Sequence, residues 1–263
     1  MTVTAREIVD RILTEIACGL PENTVDTFKA GEPETAVTGV ATTFLATLDV
    51  LRRAAAKGLN FVITHEPTFY EHRDETKEYE PDVVLDAKRA FLAEAGLVVW
   101  RFHDGWHRRE PDGIDAGAIE ALGWQGHVAC GDPCVLDLPE TSVGELAAAM
   151  KDALGARAVR AIGDASLRSG KVGLCLGAAS AVVQIRMLQR DDVEVLVVGE
   201  AREWETVEYV RDAADAGLRK AIILLGHCAS EEAGMRHLAD WLGELLPAVP
   251  VEFVPAGDPF WTV

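Results

Sequence analysis

Asn60-Phe61-Val62-Ile63-Thr64-His65-Glu66-Pro67 is an apolar run that ends on a histidine, an acid and a proline. A short run of this kind, entered after Gly58 and closed by Pro67, reads as a buried strand. The carboxyl ends of strands are where open α/β sheets place their ligand sites. Two further runs in the chain end in the same way. Leu97-Val98-Val99-Trp100-Arg101-Phe102 leads into His103-Asp104 and His107, and Ala221-Ile222-Ile223-Leu224-Leu225-Gly226 leads into His227, with Glu231 four residues on. Imidazole and carboxylate are the donors that hold borderline divalent metals. A metal site built on strand ends is the expectation.

Outward from these runs, strand and helix patterns alternate. Thr4-x-x-Glu7 is a capping box that opens a helix through Ile8, Ile12 and Ile16. A β-branched strand is expected over 37–44, a helix over 47–57 stopped at Gly58, the strand 60–64, a helix over 82–94 stopped at Gly96, the strand 97–102 and a short helix near 113–122. The second half repeats the rhythm. Ser142-x-x-Glu145 caps a helix that ends at Gly155, with strands near 157–162, 171–176, 193–198 and 221–225 and helices near 178–189 and 204–216. A final helix buries Met235, Leu238, Leu242 and Leu245, and 251–254 is a last strand. The pattern predicts an α/β protein of two similar lobes, 1–128 and 129–263, with the site in the cleft between them. The charged stretch 70–80 reads as a surface loop or a flap beside His65.

A chain of 263 residues with 49% hydrophobic and 26% charged residues can bury a sizeable core. A formal charge of -18 argues against nucleic acid, whose phosphates demand a basic face. No apolar run is long enough to span a bilayer, and the N-terminal residues lack the apolar segment of a signal peptide, so a cytoplasmic protein without a membrane partner is expected. Five scattered cysteines fit a reducing compartment, and Cys130-Gly-Asp-Pro-Cys134 reads as thiols near a turn.

Each candidate has a plainer alternative. His65 could simply bond a neighbouring carbonyl, and Glu231 would suit the positive end of a helix. His103 and His107 would share a face in a helix, but Gly105 favours a loop. Arg108 and Arg109 are suited to an anionic substrate or to solvent. His72, His127 and His237 lie outside the strand ends and read as structural or exposed.

Three motifs carry a resemblance that covers nearly the whole chain. Phe61-Val62-Ile63-Thr64-His65-Glu66-Pro67, Phe102-His103-Asp104-Gly105-Trp106-His107 and Leu225-Gly226-His227-Cys228-Ala229-Ser230-Glu231 resemble the NIF-three-like family, also labelled GTP cyclohydrolase 1 type 2 homologs. Gly199-Glu200 and Pro259-Phe260 are weaker echoes. The resemblance implies a two-lobed α/β fold, a pair of divalent metals and a homohexamer. By position it implies the metal ligands His65, Glu66, His107, His227 and Glu231, with His103 lining the pocket. Glu66 stands where the family has a histidine and His107 where it has an aspartate, so the total of imidazoles and carboxylates is kept. An imidazole does not bridge two ions as a carboxylate does, so one or two ions (zinc, iron, manganese or similar) remain open, with Asp104 as a fallback ligand. The implied activity is metal-dependent hydrolysis of a small anionic or nucleotide-like compound, with His103 or Glu200 as the general acid. A non-catalytic metal-dependent binding or regulatory protein and a metal store are the competing expectations.

Overall fold

The strand-ending motifs organise the observed architecture. The computed structural model describes residues 3–261 and Val263. Helix α1 (Ala5–Ile16) starts at the expected capping box, in which Thr4 and Glu7 each accept the other's backbone N–H. Strands β1 (Phe28–Ala30) and β2 (Val40–Thr43) precede α2 (Leu48–Ala56), β3 (Phe61–Thr64), α3 (Val83–Glu94) and β4 (Val98–Arg101). A single-turn helix α4 (Asp104–Arg108) and helix α5 (Gly113–Ala121) follow. Next come β5 (Val135–Ser142), α6 (Val143–Leu154), β6 (Arg160–Ile162), β7 (Arg168–Cys175), α7 (Ala181–Leu188), β8 (Val195–Val198), α8 (Glu208–Asp215) and β9 (Ala221–Leu224). Helix α9 (His227–Leu245) and β10 (Val251–Phe253) close the chain.

The described residues form two five-stranded sheets in two compact units. One unit comprises 1–114 with 234–256, the other 115–233 with 257–263. The sequence placed the last strand with the second half. It pairs instead with the first sheet, Val251 opposite Val40 and Phe253 opposite Thr42, in parallel. Thr42 Oγ1 also donates to the carbonyl of Met235 at 2.8 Å, which fastens the later turns of α9 to this unit. Of the predicted stripe, Met235, Leu238 and Leu242 are buried. Leu245, the last residue of the helix, is only half-buried, and Leu246 just beyond the helix end is buried in its place.

In the first sheet the order is β1-β4-β3-β2-β10, with β1 antiparallel at one edge. Every residue of β2, β3 and β4 is buried, as expected of parallel strands covered on both faces. The register sets Thr43, Thr64 and Arg101 side by side, so β3 and β4 release their chains at one level. The second sheet runs β5-β7-β8-β9-β6 and likewise has three aligned parallel strands, with Cys175, Val198 and Leu224 in register. Its faces separate by the period of two. Val195, Val197 and Ile223 pack with Leu146 and Met150, while Leu196, Val198 and Ile222 pack with Leu188 and Val210.

Two strands escape the sequence signal. β5 contains Pro139 and exposed charges, which an edge strand tolerates because its outer N–H groups need no partner. β1 spans three half-buried residues, too few to show a period. Among the described residues, no helix is long and apolar enough to cross a membrane.

The face assignment of α3 is directly testable. Leu85 is fully buried and Val83 is 82% exposed. Leu85→Ala is expected to cost about 2–5 kcal/mol, and Val83→Ala to stay within about 0.5 kcal/mol, by urea unfolding. Equal midpoints for the two variants would mean that the helix buries another face.

Candidate metal centre

In the first unit, the ends of β3 and β4 bring three imidazoles together. His65 follows β3 and is fully buried; its Nδ1 lies 3.3 Å from the carbonyl oxygen of Phe102. His103 precedes α4 with Nδ1 at 3.0 Å from Asp104 Oδ1, and His107, one turn on, has Nδ1 at 2.8 Å from Asp112 Oδ2. Ring centroids are separated by 4.6 Å (His65 and His103), 4.9 Å (His65 and His107) and 4.8 Å (His103 and His107). Each residue offers one ligand atom, and these atoms lie within 4.8 Å of one another.

The turn that carries His103 and His107 was expected to be a loop, because of Gly105. It is helical, and Asp26 is the reason. Asp26, 6% exposed, accepts the backbone N–H groups of His103 (2.8 Å), Asp104 (2.9 Å) and Gly105 (2.8 Å). These are the donors that a helix start leaves without intrahelical partners. Burial pushes the Asp26 carboxyl above its ordinary value even though the three donors pull it down.

Glu66 sits at the rim of this group. Its Oε1 is 3.9 Å from His103 Nε2, and its Oε2 is 3.4 Å from Arg101 Nη2. Arg101 is fully buried within β4 and also donates to the carbonyls of His65 (2.9 Å) and His72. A second buried cation, Lys88 on α3, donates to the carbonyl of Thr68, and burial pushes its ammonium down to about 8. The two cations clamp the segment that follows His65. The charged stretch beyond it is anchored as well, by a nearly buried pair between Lys29 and Asp74 at 3.2 Å.

Asp104, the fallback ligand, has both carboxylate oxygens engaged within the fold. One oxygen receives His103 Nδ1 and the other receives Thr24 Oγ1 (2.9 Å) and the Val25 N–H (3.1 Å). Arg108 is exposed and Arg109 half-buried, and each makes contacts within the fold. Arg108 donates to the Gly19 carbonyl, and Arg109 donates to that of Pro111 and covers the Trp106 ring. No disulfide forms among the described residues, so Cys130 and Cys134 remain thiols. His72 is exposed, while His127 and His237 are half-buried, away from this group.

In the second unit, β9 ends where α9 begins, at His227. Its Nδ1 lies 3.0 Å from Glu200 Oε1, and its Nε2 lies 3.1 Å from Glu231 Oε2, one turn along the helix. Both ring nitrogens thus face carboxylate oxygens, an arrangement that calls for a cation or a second proton on the ring. Glu231 is only 3% exposed. Gly177 makes room for it: a Cβ there, at φ +66, would come within 2.0 Å of Glu231 Oε1 and 3.4 Å of His227 Nε2. Ser230 links the parts, accepting the Gly177 N–H at 3.0 Å and donating to the His227 carbonyl at 2.8 Å. Glu200, expected as a general acid, is the carboxylate that faces His227 Nδ1.

One feature unites the four histidines. Each Nδ1 faces an oxygen acceptor (Phe102, Asp104, Asp112 or Glu200); in His65, His103 and His107 this favours the proton on Nδ1 and turns Nε2 toward the cluster, whereas His227 Nε2 already faces Glu231. Metal-ligating histidines are oriented in this way. The donor set therefore fits a divalent metal. Asp26, Arg101, Asp112, Gly177 and Ser230 escaped the sequence reading. Arg101 as a lone charge inside an apolar strand, and Ser230 inside the Gly-His-x-x-Ser-Glu spacing, were the available signals.

Burial holds the His65 imidazole well below its ordinary value, assisted by repulsion from His107 and His103, and it lowers His103 as well. The folded, metal-free protein keeps these rings uncharged where the unfolded chain takes up protons. Their contribution to stability is complete above the ordinary value of 6.5 and is lost as the pH falls below it. Unfolding free energy in chelator is expected to fall as the pH drops below 6.5, at up to about 1.4 kcal/mol per pH unit for His65, with a smaller loss from His103. His65→Gln should flatten that slope; an unchanged slope would remove His65 from the argument.

The Duf34/NIF3 (NGG1p interacting factor 3) family profile matches residues 22–259. Among solved structures, a hypothetical protein of Staphylococcus aureus is 14% identical, with a TM-score of 0.79 over 100% of both chains. A Bacillus cereus protein related to NIF3 is 14% identical, with a TM-score of 0.76 over 100% of this chain and 99% of that one. The ybgI protein, of unknown function, is 20% identical, with a TM-score of 0.74 over 98% of this chain and 100% of that one. At these identities the likeness establishes the fold. No curated protein matches the sequence.

Proposed function

The chain belongs to the Duf34/NIF3 family, and from that premise we propose that it binds divalent metal and uses it to hydrolyse a small anionic or nucleotide-like compound. The observation that carries the metal reading is the common orientation of His65, His103 and His107, each with Nδ1 held by an oxygen and Nε2 turned toward the cluster, beside His227, whose two ring nitrogens face Glu200 and Glu231. Histidines placed for packing alone have no reason to share that arrangement. The ion, when bound, supplies the Lewis acidity that activates water and polarises the scissile group.

The chain's own residues hold that chemistry in place. His65, Glu66 and His107 are the ligands expected from the first unit, His227 and Glu231 those expected from the second. Asp112 and Glu200 orient His107 and His227, and Arg101 fixes the Glu66 carboxylate. The cyclohydrolase label and the nucleotide-like substrate rest on the family resemblance. The metal reading rests on the residues themselves.

The test combines elemental analysis with turnover. Protein stripped with chelator and reloaded with zinc, manganese or iron should retain at least one ion per chain. His107→Ala and His227→Ala should each lower the retained metal. Reloaded protein should hydrolyse members of a panel of nucleotides and phosphate esters, and stripped protein should not. Retained metal without turnover across the panel would replace the hydrolase by a binding or storage role; no retained metal would remove the whole reading.

We adopt for this chain the homohexamer that the resemblance carries, together with the expected residence in the cytoplasm. Light scattering at micromolar concentration is expected to report six chains per particle, and a monomer would discard that assembly without touching the metal ligands.

A further inference from the structure

We propose that His103 is itself a metal ligand, and that His65, His103 and His107 form a three-imidazole face selective for a zinc-like ion over manganese or magnesium. This rests on the metal reading above and departs from the ligand set that the family resemblance implies, in which His103 only lines the pocket.

The geometry is that of a facial donor set. The three ring centroids form a nearly equilateral triangle with sides of 4.6, 4.8 and 4.9 Å, so no ring is an outlier. Their ligand atoms lie within 4.8 Å of one another. Three nitrogens about 2.1 Å from a tetrahedral ion are about 3.4 Å apart, so small rotations of side chains close the set. His103 and His107 stand four residues apart on the turn capped by Asp26, the spacing that sets two imidazoles on one helix face. Each of the three Nδ1 atoms is held by a different residue, Phe102, Asp104 or Asp112, so the three Nε2 atoms are oriented independently.

The cluster is not closed off from solvent. His103 and His107 are partly open to solvent, with side chains 24% and 31% exposed, and a hydrophobic contact of this size is better made by apolar residues. Glu66 is drawn toward Arg101 and stands at the edge of the triangle. A set of three imidazoles favours zinc, copper and nickel, whereas manganese and magnesium favour carboxylates and carbonyls. Three protein ligands also leave a fourth position open, as in catalytic zinc sites.

The experiment uses the full chain, stripped of metal and titrated with zinc chloride or manganese chloride against a chromophoric chelator. Cobalt chloride provides a visible spectrum that reports ligand number. His103→Ala is expected to weaken zinc binding by at least about 100-fold and to change the cobalt spectrum, because losing a ligand exceeds the cost of losing its orienting partner. His103→Asn, whose amide can still donate to Asp104, should fail in the same way if His103 coordinates. It also serves as the folded control should the alanine variant not fold. His107→Asp should retain metal but lower the preference for zinc over manganese. Wild-type zinc affinity and an unchanged cobalt spectrum in both His103 variants would overturn the proposal while leaving metal binding by the other residues intact. Absence of zinc binding in the unmodified chain would overturn both readings.

Discussion

Three successive backbone N–H groups, those of His103, Asp104 and Gly105, converge on the single buried carboxylate of Asp26. Everything distinctive about the first imidazole cluster depends on that contact. A five-residue helix has too few internal hydrogen bonds to form unaided, and a glycine near its start makes it poorer still. The carboxylate satisfies its exposed donors at once and supplies negative charge at the positive end of the turn. His103 and His107 then share a face, and both meet His65, which β3 delivers beside them. Asp104 is freed to hold His103, so two neighbouring acids divide the tasks of capping the helix and orienting the ring.

The scaffold beneath this contact was legible in the residues because it obeys local rules. Thr4 with Glu7 and Ser142 with Glu145 signal helix starts within four residues, and both boxes are present in the fold. Val40 to Thr43, Phe61 to Thr64 and Ala221 to Leu224 are largely apolar and buried throughout because parallel strands are covered on both faces, and the ends of the last two place His65 and His227. What could not be read depends on partners distant in sequence. Asp26 lies 77 residues before His103, and nothing near either residue announces the other. The same holds for β10, whose partner is β2 and whose own three residues favour no particular sheet. Glu200 was visible as a carboxylate, but its task was hidden because its bond to His227 joins the ends of two different strands.

Arg101 shows how charge can organise a site without belonging to it. A guanidinium buried within β4 is costly unless its donors are satisfied, and here two carbonyls and a carboxylate share them. In return the fan of donors ties the turn at His65 to the carbonyl of His72, with Glu66 between. Lys88 does the same at Thr68. The segment after β3 is thus shaped by cations packed under it, and the imidazoles above it inherit that rigidity.

Burial also marks where the chain is free to change. The two positions that depart from the family resemblance, Glu66 and His107, are half-buried, whereas His65 and Glu231 are enclosed, the latter against a glycine that admits no side chain. Half-open positions accept a ring in place of a carboxylate, or the reverse, at little cost in packing, while the walled ones do not. An exchange of imidazole for carboxylate is therefore tolerated at the half-open positions, while packing holds the side chains at the enclosed ones.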